Sequence, residues 1–151
     1  MATVFVDTNV ILYTRDMSSP DKAAMASAWL RSLAPLRAMT MSRQVLNEAY
    51  YVLTRRSQFK VPTGEARGIV QALERFARAP SNSQTLLDAW AIEDRYGLRF
   101  WDAMLMASAH AAGCAYFLSE DLNDGQVYGA VQAINPFRHA PEDVLGRAAS
   151  V

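Results

Sequence analysis

Four carboxylates stand where a folding chain normally places apolar residues, and they constrain this sequence more than any other feature. Asp7 directly follows the apolar run Val4-Phe5-Val6, and Asp121 follows Phe117-Leu118-Ser119. Glu48 edges the apolar face of a predicted helix, and Asp102 lies in the middle of such a face. A buried carboxylate is costly unless it is paired or holds a metal. If four converge, they need cations. Mg²⁺ and Mn²⁺ are the ions that oxygen ligands suit, and phosphodiester hydrolysis is the chemistry such a site serves.

The remaining pattern is one of short β-branched runs alternating with helical ones. Ala2 to Val6 reads as a buried strand, and Asp7-Thr8-Asn9 favours a turn and a helix cap. Val10 to Tyr13 is a short helix. Ser18-Ser19-Pro20-Asp21 starts another through Lys22 to Leu33, with Met25, Ala28 and Trp29 on one face. Arg37 to Thr40 is a weak strand, and Ser42 caps a helix to about Arg56. Pro62-Thr63-Gly64-Glu65 opens a helix that Pro80 closes, with a short strand over Ser83 to Thr85. Helices over Leu86 to Tyr96 and Phe100 to Ala112 end at Gly97 and Gly113. Cys114 to Leu118 and Ala130 to Ile134 are strands, and the tail from His139 is a docked short helix or loose. This alternation predicts an α/β layer fold with a mostly parallel sheet.

Each acid also has an ordinary structural reading. Asp7 could simply cap the following helix, yet ligands of parallel sheets bind beyond the strands' carboxyl ends. At about 100° per residue, Glu48 falls at the edge of the arc made by Leu46, Ala49, Val52 and Leu53, where boundary glutamates are common. Asp102 is flanked by Leu105, Met106, Ala109 and Ala112. A favourable helix dipole explains an acid in the first turn but not one at the centre of an apolar stripe. Asp121 shares a polar loop with Glu120 and Asp124; strand alternation puts Ser119 and Asp121 on one side and Glu120 opposite.

A chain of 151 residues, 51% hydrophobic and 20% charged, suits one soluble domain with one core. Formal net charge is zero, so no strong basic balance announces nucleic acid, although acids gathered in one place leave basic residues to dominate elsewhere. Cys114 is the only cysteine, which excludes an internal disulfide and fits a reducing, cytoplasmic setting. No apolar run reaches membrane-span length, and Asp7 cuts short any signal-peptide core.

Together these segments resemble the PIN domain, and within it the VapC-type toxins of toxin–antitoxin modules. The resemblance rests on Val6-Asp7-Thr8-Asn9-Val10, Asn47-Glu48, Trp101-Asp102-Ala103 and Leu118-Ser119-Glu120-Asp121, in the family's order, and spans Val4 to about Phe137. It implies a three-layer α/β sandwich over residues 1–138, a tail over 139–151, and a Mg²⁺- or Mn²⁺-dependent endoribonuclease. Asp7, Glu48, Asp102 and Asp121 match the family's acidic positions, and Thr8, Asn9 and Ser119 its polar neighbours. It also implies homodimers, an RNA substrate and inhibition by a small antitoxin. Alternatives are a PIN-type RNA-processing or DNA nuclease without an antitoxin, and a non-catalytic RNA- or phosphate-binding module. A phosphotransferase using Asp7 would want a second Asp at position 9, which is Asn.

Arg15, Arg43, Arg55, Arg56 and Lys60 are candidate phosphate contacts near these acids, or part of a solvated surface. Tyr50, Tyr51 and Trp101 either stack on bases or serve as core or dimer contacts, the second being the favoured reading. His110 and Cys114 read as structural.

Overall fold

The structure is a computed structural model, and it describes residues 2–146. Elements follow in the order β1 (Val4–Val6), α1 (Thr8–Tyr13), α2 (Pro20–Leu33), β2 (Met39–Thr40), α3 (Arg43–Arg55), α4 (Thr63–Leu73), α5 (Ser83–Tyr96), α6 (Phe100–Ala111), β3 (Tyr116–Leu118), β4 (Val127–Tyr128), β5 (Val131–Ile134) and α7 (Pro141–Leu145). The five strands lie in the order β2-β1-β3-β5-β4. All pairs are parallel except β4 with β5, which meet as a hairpin. Every residue of β1 is buried, as expected for a central strand covered on both faces by helices. The result is the anticipated α/β three-layer sandwich.

The strand order explains where a site can form. The chain leaves β1 for β2 on one side, and β3 later returns to β1's other side. Connections therefore diverge at the β1–β3 boundary, where open parallel sheets leave a crevice beyond their carboxyl ends. Register fixes what lines it. Val6 pairs with Leu118, so the next residues, Asp7 and Ser119, emerge side by side. Asp7 N–H bonds Leu118 O at 3.1 Å and Ser119 N–H bonds Ile134 O at 3.0 Å, extending the ladders into the crevice.

The core joins both helical layers to the sheet. Phe5 and Phe117 stack with centroids 5.0 Å apart. Trp29 is buried, and its indole N–H donates to the carbonyls of Pro136 and His139, tying α2 to the segment leading into α7. The face of α2 that packs inward is Ala26, Trp29 and Leu33; Met25 points outward.

Several sequence expectations are corrected. Ser83 to Thr85 is not a strand but the first turn of α5, because Asn82 Oδ1 accepts from Gln84 and Thr85 N–H and Thr85 Oγ1 accepts from Asn82 N–H. The helix from Pro62 does not reach Pro80. It ends at Leu73 and tightens into a 3₁₀ turn over Glu74–Phe76, because the backbone of Phe76 and Ala79 bonds Met41 instead. The strand expected from Arg37 begins only at Met39, since Arg37 takes a φ of 52°, outside strand geometry. Strand β4 was not anticipated. The tail from His139 contains α7; residues 147–151 lie outside the described residues. No helix among the described residues is long and apolar enough to cross a membrane.

Candidate active site

All four acids line one open cleft of about 650 Å³. Four elements supply its walls. The end of β1 and α1 contribute Asp7, Thr8, Asn9, Leu12 and Tyr13; α3 contributes Gln44, Asn47, Glu48, Tyr51 and Val52; α6 contributes Trp101, Asp102 and Leu105; the loop after β3 contributes Glu120 and Asp121. The α3 residues recur at helical spacing, so one face of that helix forms a wall.

Asp7 is the buried floor, 5% exposed. Its Oδ1 accepts from Thr8 N–H at 2.6 Å and its Oδ2 from Ser119 Oγ–H at 2.8 Å. Asp7 thus does cap α1, as the structural reading held, and faces the cleft as well. Burial raises its pKa to about 7; the bonds from Ser119 and Thr8 oppose that rise, and the charges of Asp121 and Asp102 add to it. Asp102, half-buried in the first turn of α6, is also pushed up, by burial and by Asp121, against the pull of Arg99. Mutual destabilisation of this kind is relieved by a bound cation or by protonation.

Ser119 organises the site. Buried at the end of β3, it donates to Asp7, accepts from Asp121 N–H at 3.1 Å, and lies 3.3 Å from Asn9 Nδ2. Asn9 Nδ2 donates to Asp121 Oδ2 at 2.9 Å. Thr8 Oγ1 donates to Glu48 Oε2 at 3.0 Å, and Gln44 holds the other oxygen of Glu48 at 3.0 Å. Each polar neighbour therefore orients an acid.

The two adjacent acids behave differently. Glu120 is engaged by Lys22 and Tyr13; burial would raise its pKa, but these bonds hold it below the usual range. Asp124 accepts from Asn135 N–H at 2.8 Å and lies 2.7 Å from His139 Nε2, and these contacts outweigh burial to keep its pKa low. Asp124 does not line the cleft.

Among the described residues, no three His, Cys, Asp or Glu side chains are drawn together tightly enough to hold an ion unaided. The donor set still fits a hard divalent cation. Mg²⁺ keeps several waters and is typically bound through one or two carboxylates. The cleft offers oxygen donors from four acids and no sulfur, and the buried Asn9 Oδ1 has no donor to satisfy it. An acceptor left open beside carboxylates suits a hydrated ion.

The candidate cations are distributed unevenly. Arg56 lines the cleft. Arg15 instead pairs with Glu65 at 3.1 Å and Arg43 with Glu74, both away from the cleft lining. Arg55 covers the Tyr51 ring at 4.1 Å, and Lys60 faces a separate groove with Arg15. Arg99 was missed in the sequence: it bounds, with Trp101, Asp102 and Asp121, a concavity that adjoins the cleft. Its place one residue before α6 was the available signal. Tyr51 and Trp101 are 59% and 63% exposed, so neither is core, and Tyr50 is half-buried. His110 bonds Tyr128 O at 2.6 Å, and burial raises the Cys114 thiol to about 12, consistent with structural roles.

Comparison with known proteins agrees with this architecture. Residues 4–127 match the family model of the PIN domain. Among solved structures, the chain is similar to one in a VapBC2 complex from Rickettsia felis bound to a promoter DNA fragment, with TM-score 0.61, 13% identity, and 88% of this chain and 98% of that chain covered. It is also similar to Mycobacterium tuberculosis VapC20, a Sarcin-Ricin loop cleaving toxin, with TM-score 0.56, 18% identity, and 86% and 99% covered. No curated protein matches. The chain belongs to the PIN-domain family.

Proposed function

We propose that this chain is a divalent-metal-dependent endoribonuclease, and that it is the toxic partner of a toxin–antitoxin pair. The observation that carries the first part is the buried Asp7, raised to about 7, in one cleft with Asp102, Asp121 and Glu48. Acids arranged to repel one another are stable only if a cation completes the site or if protons neutralise them. The second part is supported by structural likeness to a VapBC2 chain and to an RNA-cleaving VapC toxin.

When bound, Mg²⁺ or Mn²⁺ supplies Lewis-acid activation of water and neutralises charge on the scissile phosphate. Asp7 and Asp102 are the residues we assign to hold it, with Asp121 and Glu48 binding directly or through water. Ser119 orients the Asp7 carboxylate, Asn9 that of Asp121, and Thr8 that of Glu48. Arg56 and Arg99 offer charge to the flanking phosphates. In this reading the nucleophile is a water activated by the ion, and no enzyme side chain is needed as one.

The test is incubation with RNA in Mg²⁺, Mn²⁺ or EDTA. The expected products carry 5′-phosphate and 3′-hydroxyl ends and vanish in EDTA; cleavage undiminished by EDTA rejects the reading. For the toxin role, the chain expressed alone in bacteria arrests growth. Co-expression of a small protein encoded beside it restores growth, and the two copurify. In this reading the enzyme is cytoplasmic and homodimeric, and the antitoxin sends a helix to the molecule and an Arg or Lys into the acidic cleft.

A further inference from the structure

We infer that Tyr51 and Trp101 are base-stacking platforms beside the acids, so that the site selects unpaired RNA by gripping its bases. The inference rests on the nuclease reading above and deepens it.

The two concavities share Trp101, Asp102 and Asp121. On one side, α3 brings Tyr51 and Arg56 to the cleft. On the other, Arg99 stands with Trp101. Each side therefore carries its own guanidinium, Tyr51 lines the first side alone, and Trp101 stands with the acids at the common boundary. That is the pairing a single strand requires: a π surface for the base and a cation for its phosphate.

Both rings are positioned to act as platforms. Arg55, four residues after Tyr51 on α3, lies 4.1 Å from its ring centroid, and the ring remains largely exposed. Trp101 meets Phe100 edge to face, with centroids 5.0 Å apart and planes at 70°, and most of its indole is exposed to solvent. Neither ring contributes to the core. Aromatic side chains have only two rotatable bonds and lose little conformational entropy on stacking. A base paired in a duplex has its faces covered and reaches neither ring. Because every base has a π face, this contact selects strandedness rather than sequence.

The test uses a fluorescent RNA hexamer without self-pairing, and the same sequence in a duplex stem. Affinities are read by anisotropy in Mg²⁺ on the cleavage-impaired Asp7→Asn background, and KM and kcat on otherwise wild-type protein. Tyr51→Ala and Trp101→Ala are each expected to weaken hexamer binding about tenfold, the loss typical of one stacked base. Tyr51→Phe and Trp101→Phe keep most of it, and KM rises more than kcat falls. The stem binds more weakly and is insensitive to either ring. Bound hexamer quenches indole emission, and Trp101→Phe removes that quenching. Trp90→Ala, exposed on α5 away from the cleft, is the control and changes nothing. If wild-type protein cuts RNA and both alanine variants bind and cut equally well, stacking is overturned while the nuclease reading stands. An equal loss on stem and hexamer overturns strand selection. Unchanged RNA affinity with altered self-association or antitoxin capture assigns the rings to a protein contact instead. Failure of wild-type protein to cut any RNA rejects both readings.

Discussion

Two corners of this molecule carry acids within a few residues of each other and use them in opposite ways. At one, Glu120, which also borders the cleft, meets Lys22, and Asp124 meets His139, so each carboxylate has a partner. At the other, the charges of Asp121 and Asp102 raise the proton affinity of Asp7, that of Asp121 raises the proton affinity of Asp102, and no lysine or arginine forms an ion pair with any of the three among the described residues. Folding favours the first arrangement and tolerates the second only at a cost. The difference separates acids that hold the fold from acids held by it.

The largest expected effect comes from breaking the second corner. Asp7→Asn keeps the shape and the cap acceptor but removes the charge. Cleavage should fall by about 10³-fold or more, because loss of ligand charge forfeits several kcal/mol of stabilisation. Circular dichroism should show the fold intact. Cleavage near the wild-type rate would remove Asp7 from the ligand set.

The same residue predicts an unusual pH dependence. Its folded pKa, about 7, lies above the unfolded value of 3.8. Its stabilising balance is therefore fully present below pH 4 and is lost as pH rises through 7. Without metal, the charge of Asp7 should cost the fold up to roughly 4 kcal/mol at pH 8. Urea unfolding in EDTA should show Asp7→Asn more stable than wild type at pH 8, with the gap closing towards pH 4. Added Mg²⁺ should stabilise wild type above pH 7 and leave the variant little changed.

A smaller effect is expected at Ser119, which touches Asp7, Asp121 and Asn9 but supplies no charge. Ser119→Ala should weaken metal affinity or activity roughly 10- to 100-fold, the usual scale for groups that orient ligands. Ser119→Thr should restore most of it. Equal rates for Ala and Ser would mean that Asp7 needs no orienting hydroxyl.

The sequence made Asp102 visible because it contradicted its apolar face, and Asp7 and Asp121 because each closes an apolar run; Glu48, at the edge of its face, stood out only beside the other three. It also made the parallel α/β layering visible, since strands and helices alternate with clear caps such as Gly97. Less was legible where a local pattern depends on distant backbone. The break after Leu73 follows from bonds to Met41, more than thirty residues earlier. The Ser83-Gln84-Thr85 run looked β-prone because the reciprocal cap of Asn82 and Thr85 has no apolar period. Asp16 is buried, satisfied by Ser18 and approached by Gln58, although it stands in a mostly polar stretch of sequence. Pairing of charges was the least legible property: Arg15 and Arg43 sit near the acids in sequence yet bond Glu65 and Glu74, whereas Arg99 reaches the site from a helix start.

The smallest predicted effect lies in the satisfied corner and has the opposite sign. Asp124 has its pKa lowered, so its contribution is present above the unfolded value near 3.8 and is lost as pH falls through the folded value. Asp124→Asn keeps an oxygen for Asn135 N–H but loses the charge facing His139. The pair is partly solvated, so screening limits the loss to about 1 kcal/mol at pH 7. Denaturation at pH 7 should show that loss, and it should fade as pH drops below 4. RNA cleavage should stay within about twofold of wild type, because Asp124 lies outside the cleft and a loss of this size leaves most molecules folded. A large fall in activity with stability unchanged would place Asp124 in the catalytic group and dissolve the distinction between the two corners. If both acids are removed together, their stability changes at pH 8 should oppose each other, Asp7→Asn raising it and Asp124→Asn lowering it, while the activity loss belongs to Asp7 alone.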